Sequence, residues 1–320
     1  MTRRIACALF GAALAAGAAA QPFPAGPLRM VVPFPPGGGT DILARPVEQK
    51  LAERLKQPVV IENRGGANGT IGTAWVAKSA PADGHTLLLV PSGYAVNPAL
   101  YPALPYDQAR ELTAVTQLVS GPLTLVVHPS LPAKSVKELI ALAKAQPGQL
   151  NYGSSGIGSL PHLAGEWFAL SAQVRLTHVP YKGSGAATID VMSGEVPVYF
   201  MNVLQSLPFI RQGRLRALGV TGLVRVQIAK DIPTVAEAGL PGFDMATWFG
   251  VLAPAATPRE IVARLQSELA AGLRDPELRD KLVADGLTIV AGTPDQFAAF
   301  LKSETAKYAR IVQAAGIKPQ

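Results

Sequence analysis

Two glycine-rich stretches hold the residues best placed for chemistry. The first is Val32-Pro33-Phe34-Pro35-Pro36-Gly37-Gly38-Gly39-Thr40-Asp41, which follows an apolar run and precedes a helical pattern. Glycine lets backbone approach a guest closely, and the first turn of a helix presents N–H groups without internal partners, together with the positive end of the helix dipole. Thr40 or Asp41 can cap that helix. The second stretch, Asn151-Tyr152-Gly153-Ser154-Ser155-Gly156-Ile157-Gly158-Ser159-Leu160-Pro161-His162, repeats the same physics. Ser159 is a good N-cap, Pro161 suits a first turn, and Ser154 and Ser155 add hydroxyl donors. Two such helix starts facing one another would hold an anion such as a carboxylate. A plain turn also uses these residues, and each stretch can be read that way.

Other chemistries fit poorly. Gly-Thr-Asp stands where a P-loop needs Gly-Lys-Ser/Thr, and the glycine spacing is wrong for a dinucleotide turn. Gly153-Ser154-Ser155-Gly156 misses the Gly-x-Ser-x-Gly spacing of a hydrolase elbow. None of His85, His128, His162 and His178 stands three to five residues from another, and the acidic residues are dispersed, so no metal site is expected. Two more segments read as pocket walls. Pro91–Pro98 offers Ser92 and Asn97 as hydrogen-bonding groups, and His178–Gly185 offers Tyr181 as a cover and Lys182 as a positive charge. Asn202 follows a predicted strand and is a weaker candidate. His162 either lines a cleft or packs, and Trp248 reads first as a packing residue.

The elements that must position these residues alternate between short apolar runs and longer helical patterns. Predicted strands are Leu28–Val32, Val59–Glu62, Thr86–Val90, Ala114–Val119, Leu123–Val127, Thr177–Val179, Val196–Phe200, Arg216–Val220 and Phe249–Leu252. Their near-continuous apolar character predicts buried, largely parallel strands in an α/β fold. Ser135–Glu138, Thr257–Glu260 and Thr293–Gln296 read as capping boxes. Apolar stripes are expected at Ile42, Leu43, Val47 and Leu51, and at Ile261, Leu265, Leu269 and Leu273. Proline- and glycine-rich punctuation at Pro129–Pro132 and Leu240–Phe243 suggests that one domain is inserted into another. The first would comprise 27–126 plus 249–320 and the second 127–248, with a cleft where two strands cross.

Met1-Thr2-Arg3-Arg4, the apolar run Ile5–Ala16 and the small residues up to Ala20 predict a signal peptide over residues 1–20, hence export. Without Arg3 and Arg4 the 29 basic residues become 27 against 22 acidic ones, so the formal charge falls from +7 to +5. A mildly basic chain attracts anions. The basic residues are scattered, however, and nucleic acid is not an expected partner. The single cysteine, Cys7, lies in the leader.

In this order the segments resemble the Bug family of solute receptors, which serves tripartite tricarboxylate transporters. The resemblance is carried by Val32–Asp41 with Ala44-Arg45, by Val60, Glu62, Asn63, Arg64, Gly66, Ala67 and Gly69, and by Pro81–Leu87. It continues through Tyr152–Gly158, His162–Glu166, His178–Gly185, Pro233–Gly239, Trp248–Gly250 and Ala315–Ile317. It implies a periplasmic binding protein-like α/β fold: two α/β domains, joined by crossing strands, that close on a ligand. It further implies a periplasmic location and a small mono-, di-, tricarboxylate or aromatic acid as ligand. Binding is implied for Phe34, Gly38, Gly39, Thr40 and Asp41 on one side and for Ser154, Ser155, Gly158 and Ser159 on the other. The membrane subunits of such a transporter are the implied partners. No cofactor and no catalysis are expected, and a monomer is. Ala186 departs from the proline common at that position. A membrane signalling partner, and less so a serine hydrolase, are the alternatives.

Overall fold

Six of the ten strands have partners on both sides, and these carry little polar alternation. A computed structural model describes residues 23–37, 39–181 and 184–318. The expected leader, together with Gly38, Lys182 and Gly183, lies outside the described residues. The chain runs β1 (Leu28–Val32), α1 (Gly39–Leu55), β2 (Val59–Asn63), α2 (Thr70–Ser79), β3 (Thr86–Pro91), α3 (Gly93–Leu100) and β4 (Leu112–Val127). Then follow α4 (Val136–Ala145), β5 (Asn151–Ser154), α5 (Leu160–Ala172), β6 (Thr177–Pro180), α6 (Ser184–Ser193), β7 (Val198–Asn202), α7 (Val203–Arg211) and β8 (Arg216–Val220). The last elements are β9 (Ala246–Pro254), α8 (Arg259–Leu273), α9 (Pro276–Ala284), β10 (Thr288–Ile289) and α10 (Pro294–Ala314).

The sheet has the order β2-β1-β3-β9-β4-β7-β5-β6, with β8 and β10 also paired to β4. Two parallel groups, β2-β1-β3 and β7-β5-β6, sit at its ends. The centre is antiparallel, because β9 runs against both β3 and β4, and β4 against β7 and β8. The expectation of largely parallel strands therefore holds for the βα units alone. The two predicted strands at Ala114–Val119 and Leu123–Val127 are one strand. Gly121-Pro122 reads as a break, but the chain stays extended there, with Pro122 opposite Ala246 of β9. At the next residue β4 changes partner, Leu123 facing Asn202 of β7. One strand thus serves both halves of the sheet, slightly before the expected domain boundary.

Burial follows this layout. Leu43, Val47 and Leu51 of α1 pack with Leu265, Leu269 and Leu273 of α8 in one cluster. Ile42, expected on that stripe, is 57% exposed, one position off the buried face. A second cluster is continuous across both halves, joining Val31 and Leu88 to Leu125, Phe168, Phe200 and Trp248. Helix α10 lies against α3, β4 and α5 and so touches both halves.

The caps differ from one another. At Thr293 the full box forms: its Oγ1 accepts the Gln296 N–H at 3.2 Å, and Gln296 Oε1 accepts the Thr293 N–H at 2.9 Å. At Ser135 only half forms, because Glu138 reaches the Lys134 N–H instead. Thr257 makes no cap; α8 begins after Pro258, and the Thr257 hydroxyl is buried without a partner. Thr293→Ala is expected to cost about 1 kcal/mol in urea unfolding, and Thr257→Ala close to nothing.

Candidate ligand-binding cleft

The serine turn is built by internal hydrogen bonds. Strand β5 ends at Ser154, whose side chain is fully buried. Its Oγ accepts the Gly156 N–H at 3.1 Å, lies 3.1 Å from the Gly156 carbonyl and is 2.6 Å from His178 Nε2. Gly156 (φ 132°) and Gly158 (φ 76°) adopt backbone conformations that side chains disfavour. The Gly158 N–H donates to His162 Nδ1 at 3.0 Å, and the Ser159 N–H donates to Gly156 O. Ser159 stands at the N-cap of α5, but its hydroxyl donates to Gly156 O at 2.6 Å and caps nothing. The amides left without an acceptor among the described residues are those of Ser155 and Ile157 in the turn, and of Leu160 and His162 in the first turn of α5.

This turn forms one wall of a hollow of about 340 Å³. Ser155, Gly156, Ile157, Gly158 and Ser159 come from one half; Asn68, Leu100 and Tyr101 come from the other. No charged side chain lines it among the described residues. An acceptor-rich guest would therefore be read by peptide N–H groups, while Leu100 and Ile157 offer apolar contact. Asn68 is fixed by a reciprocal pair with Asn97: its Nδ2 donates to Asn97 Oδ1 at 2.8 Å, and Asn97 Nδ2 donates to its carbonyl at 3.2 Å. A second, open groove of about 580 Å³ runs along α1 to Lys281, lined by Arg45, Pro46, Glu48 and Gln49, and contains none of the predicted ligand residues.

The glycine turn lies beside the wall that Asn68 helps to form. The Phe34 ring is so close to Gly69, next to Asn68, that a Cβ there would sit 3.2 Å from it. Gly39 opens α1, so Thr40 and Asp41 lie inside the helix and are not its caps. Asp41 is 1% exposed and folds back to accept the Gly37 N–H at 2.9 Å; it also accepts Asn63 Nδ2 at 3.0 Å and Arg45 Nε at 3.0 Å. The Gly37 N–H, followed by Asn63 and Arg45, holds its carboxyl below the usual range despite burial. The α1 terminus thus already carries a carboxylate of its own. Asn63 also donates to Phe34 O at 3.0 Å, which ties the turn to β2.

Of the predicted residues, Ser155, Gly158 and Ser159 line the hollow. Phe34 stands beside Gly69, while Gly39, Thr40 and Asp41 open α1 and are not among the lining residues; Gly38 is outside the described residues. Asn97 supports Asn68 from within the core, and Ser92 is buried at the start of α3. Residues 93–100 form a helix, and Pro98 does not prevent its short run. His162 is buried behind the serine turn. Tyr181 spends its hydroxyl on Asp190 at 2.6 Å and packs beside Val179. Asn202 does not join the group: it is exposed and caps α7 through the Leu204 N–H. Asn68, Leu100, Tyr101, Gly156 and Ile157 were missed. For Asn68 a signal existed, since Gly66-Ala67-Asn68-Gly69 is a turn sequence, and Asn68 has φ 50°.

A mixed sheet in two halves, with a polar hollow between them, is the architecture of periplasmic solute-binding proteins. The chain is 38% identical to the R. palustris protein Rpa4515, solved with adipate, with a TM-score of 0.76 over 93% of this chain and all of that one. It is 31% identical to MatC from Rhodopseudomonas palustris, solved with bound malate, with a TM-score of 0.72 over 91% and 100% of the two chains. Protein BugT of Bordetella pertussis is 40% identical over 96% of this chain and 94% of its own. The model of the tripartite tricarboxylate transporter family receptor, TctC, matches residues 43–317, and the chain belongs to that family.

Proposed function

We propose that this protein is an exported receptor, not an enzyme, that captures a small carboxylate between its two halves, closes on it and delivers it to the membrane subunits of a tripartite transporter. The observation that carries this reading is the wall of unpartnered amides at Ser155 and Ile157, bordered by the start of α5, in a hollow without charged side chains among the described residues. Such donors suit a carboxylate. Adipate and malate, held by Rpa4515 and MatC, are both carboxylates. The halves 27–126 plus 249–320 and 127–248 would rotate about β4 and β9, bringing the glycine turn to the open side of the guest.

The acid series to test is adipate, malate, citrate and benzoate, added to the mature protein while its melting temperature is followed. A cognate acid at a hundredfold excess over Kd adds about 2.7 kcal/mol of stability. A shift with neutral sugars or cations, and with no acid, would sink the proposal. Gly39→Pro then tests the glycine turn. Gly39 is the first residue of α1, where proline is accepted and removes one N–H without breaking the helix. Affinity for the cognate acid is expected to fall at least about tenfold with unfolding unchanged; full affinity in the variant would take the turn out of the site.

A hydrolase reading has one specific observation behind it, the 2.6 Å contact between Ser154 Oγ and His178 Nε2. Against it, Ser154 is fully buried and its oxygen is engaged by Gly156 on both sides. No labelling by a serine-reactive fluorophosphonate is expected.

A further inference from the structure

Behind the serine turn lies a cluster that ligand contact alone does not explain. His162 and His178 are stacked, ring centroids 3.8 Å apart and planes 15° from parallel. Tyr152 also stacks on His178 at 5.1 Å, and its hydroxyl donates to Glu166 Oε1 at 2.5 Å. Each imidazole is tied to the turn. Nδ1 of His162 accepts the Gly158 N–H, so its proton belongs on Nε2, which faces Glu166 Oε1 at 3.8 Å. Ser154 Oγ has one proton and two neighbours that can take it. If that proton goes to Gly156 O, His178 Nε2 is the donor to Ser154. Both rings are then neutral Nε2–H tautomers.

We propose that His162 and His178 are positioning residues: as a stacked neutral pair they hold the amides of Gly156 and Gly158 turned inward, which leaves those of Ser155 and Ile157 to face the hollow. His162 acts on Gly158 directly, and His178 acts on Gly156 through Ser154. A proton on His162 Nδ1 removes the acceptor for Gly158, and a second on His178 sets two cations face to face, so acid loosens the turn. Burial pushes both rings down to about 4, in keeping with a neutral pair at ordinary pH. The titratable groups facing the pair are Glu166 on α5 and Tyr152 on β5. On the flanking helices, Asp190 of α6 is engaged by Tyr181, and Arg310 of α10 lies over Trp167.

The proposal rests in part on the carboxylate reading, and its test separates the two. Amide exchange across residues 155–160 is measured in the ligand-free mature protein for wild type, His162→Asn and His162→Leu. Asparagine keeps an acceptor where Nδ1 stood; leucine does not. The Gly158 amide is expected to exchange at least about tenfold faster in His162→Leu, and near the wild-type rate in His162→Asn. Wild type should open between pH 7 and pH 4, and His162→Asn should not. Equal protection in all three proteins, or equal loss in both variants, overturns the proposal whatever the ligand. Long-range proton–nitrogen spectra of the unmutated protein at pH 7 give a check that needs no variant, since a protonated Nδ1 on His162 would also overturn it. If the acid series yields a cognate ligand, its Kd should follow the same order, weakest in His162→Leu. If neutral sugars or cations shift the melt and no acid does, the receptor reading fails and the exchange result still decides this one.

Discussion

Trp248→Ala is expected to cost about 4 kcal/mol of stability, in the range measured when a large aromatic is removed from a core. Trp248 is fully buried on β9, directly opposite Ser120 of β4, where one strand passes between the two halves of the sheet. Its ring meets Phe297 and Phe300 of α10 edge-on, with centroids 5.8 and 5.6 Å away. Its Nε1 donates to Glu304 Oε2 at 3.1 Å, and Glu304 is itself 4% exposed and paired with Lys307 at 2.5 Å. The indole therefore fills volume and also satisfies a buried carboxylate at the point where α10 clasps the crossing strands. Trp248→Phe separates the two contributions. It keeps most of the volume and removes the N–H, so it should cost about 1–2 kcal/mol. Urea unfolding monitored by circular dichroism measures both, since the mutations remove a fluorophore. A loss below about 1 kcal/mol for Trp248→Ala would mean that α10 repacks freely against the strands.

What was legible in the sequence is what local chemistry decides. The strands Leu28–Val32 and Arg216–Val220 are where apolar continuity puts them, and Thr293 caps its helix because the box needs only residues three apart. Both glycine-rich turns lead from strands into helices, as their residue types require. Strand β5 was not legible: Asn151-Tyr152-Gly153-Ser154 has one large apolar residue and reads as a turn, and pairing with β6 and β7 makes it a strand. The antiparallel centre was equally hidden, because the pairing of β3 with β9 joins residues far apart in the chain. Ile42 fell on the wrong side because it stands between buried Asp41 and Leu43 but points one position off the buried face.

The cleft divides in the same way. Ser155, Gly158 and Ser159 were found because a serine- and glycine-rich turn before a helix is a local pattern. Leu100 was not, since its place in the hollow comes from the approach of the two halves; a Cβ on Gly158 would stand 3.1 Å from its Cδ1. Asp41 was expected to face the guest as part of the glycine turn. Its burial beside Asn63 and Arg45 depends on β2 lying next to β1, which no spacing within the turn reveals. The stacked imidazoles come from α5 and β6, and each histidine alone is as consistent with packing as with binding.

Acid is expected to unfold this protein early, and the sign follows from the same two histidines. Burial, the larger cause, and for His162 the neighbouring His178, lower both folded pKa values to about 4 from 6.5. Between those values the unfolded chain binds more protons than the folded one, so stability is complete above pH 6.5 and is lost as pH falls toward 4. At pH 5 each ring would contribute a loss of about 2 kcal/mol; with allowance for the part-exposed His178, the fall from pH 7 to pH 5 is about 3 kcal/mol for the pair. Asp41, Glu111, Glu237 and Asp275 act only at the acid edge of that window and below it, since with lowered folded values their losses begin near their unfolded values of 3.8 and 4.5. Glu166 and Asp244 oppose the fall: burial raises them, so the folded state takes up their protons first and gains stability as pH drops through their folded values. Urea midpoints from pH 7.5 to 4.5 should therefore slope steeply in the wild type. In the double variant His162→Asn/His178→Gln they should be flat or inverted, because only the opposing carboxylates remain. The comparison rests on slopes and not on absolute stability, so a destabilised variant is still informative. Parallel slopes in the two proteins would mean that the imidazoles reach water more readily than their stacked, tied geometry allows, and that the serine turn keeps its shape without them.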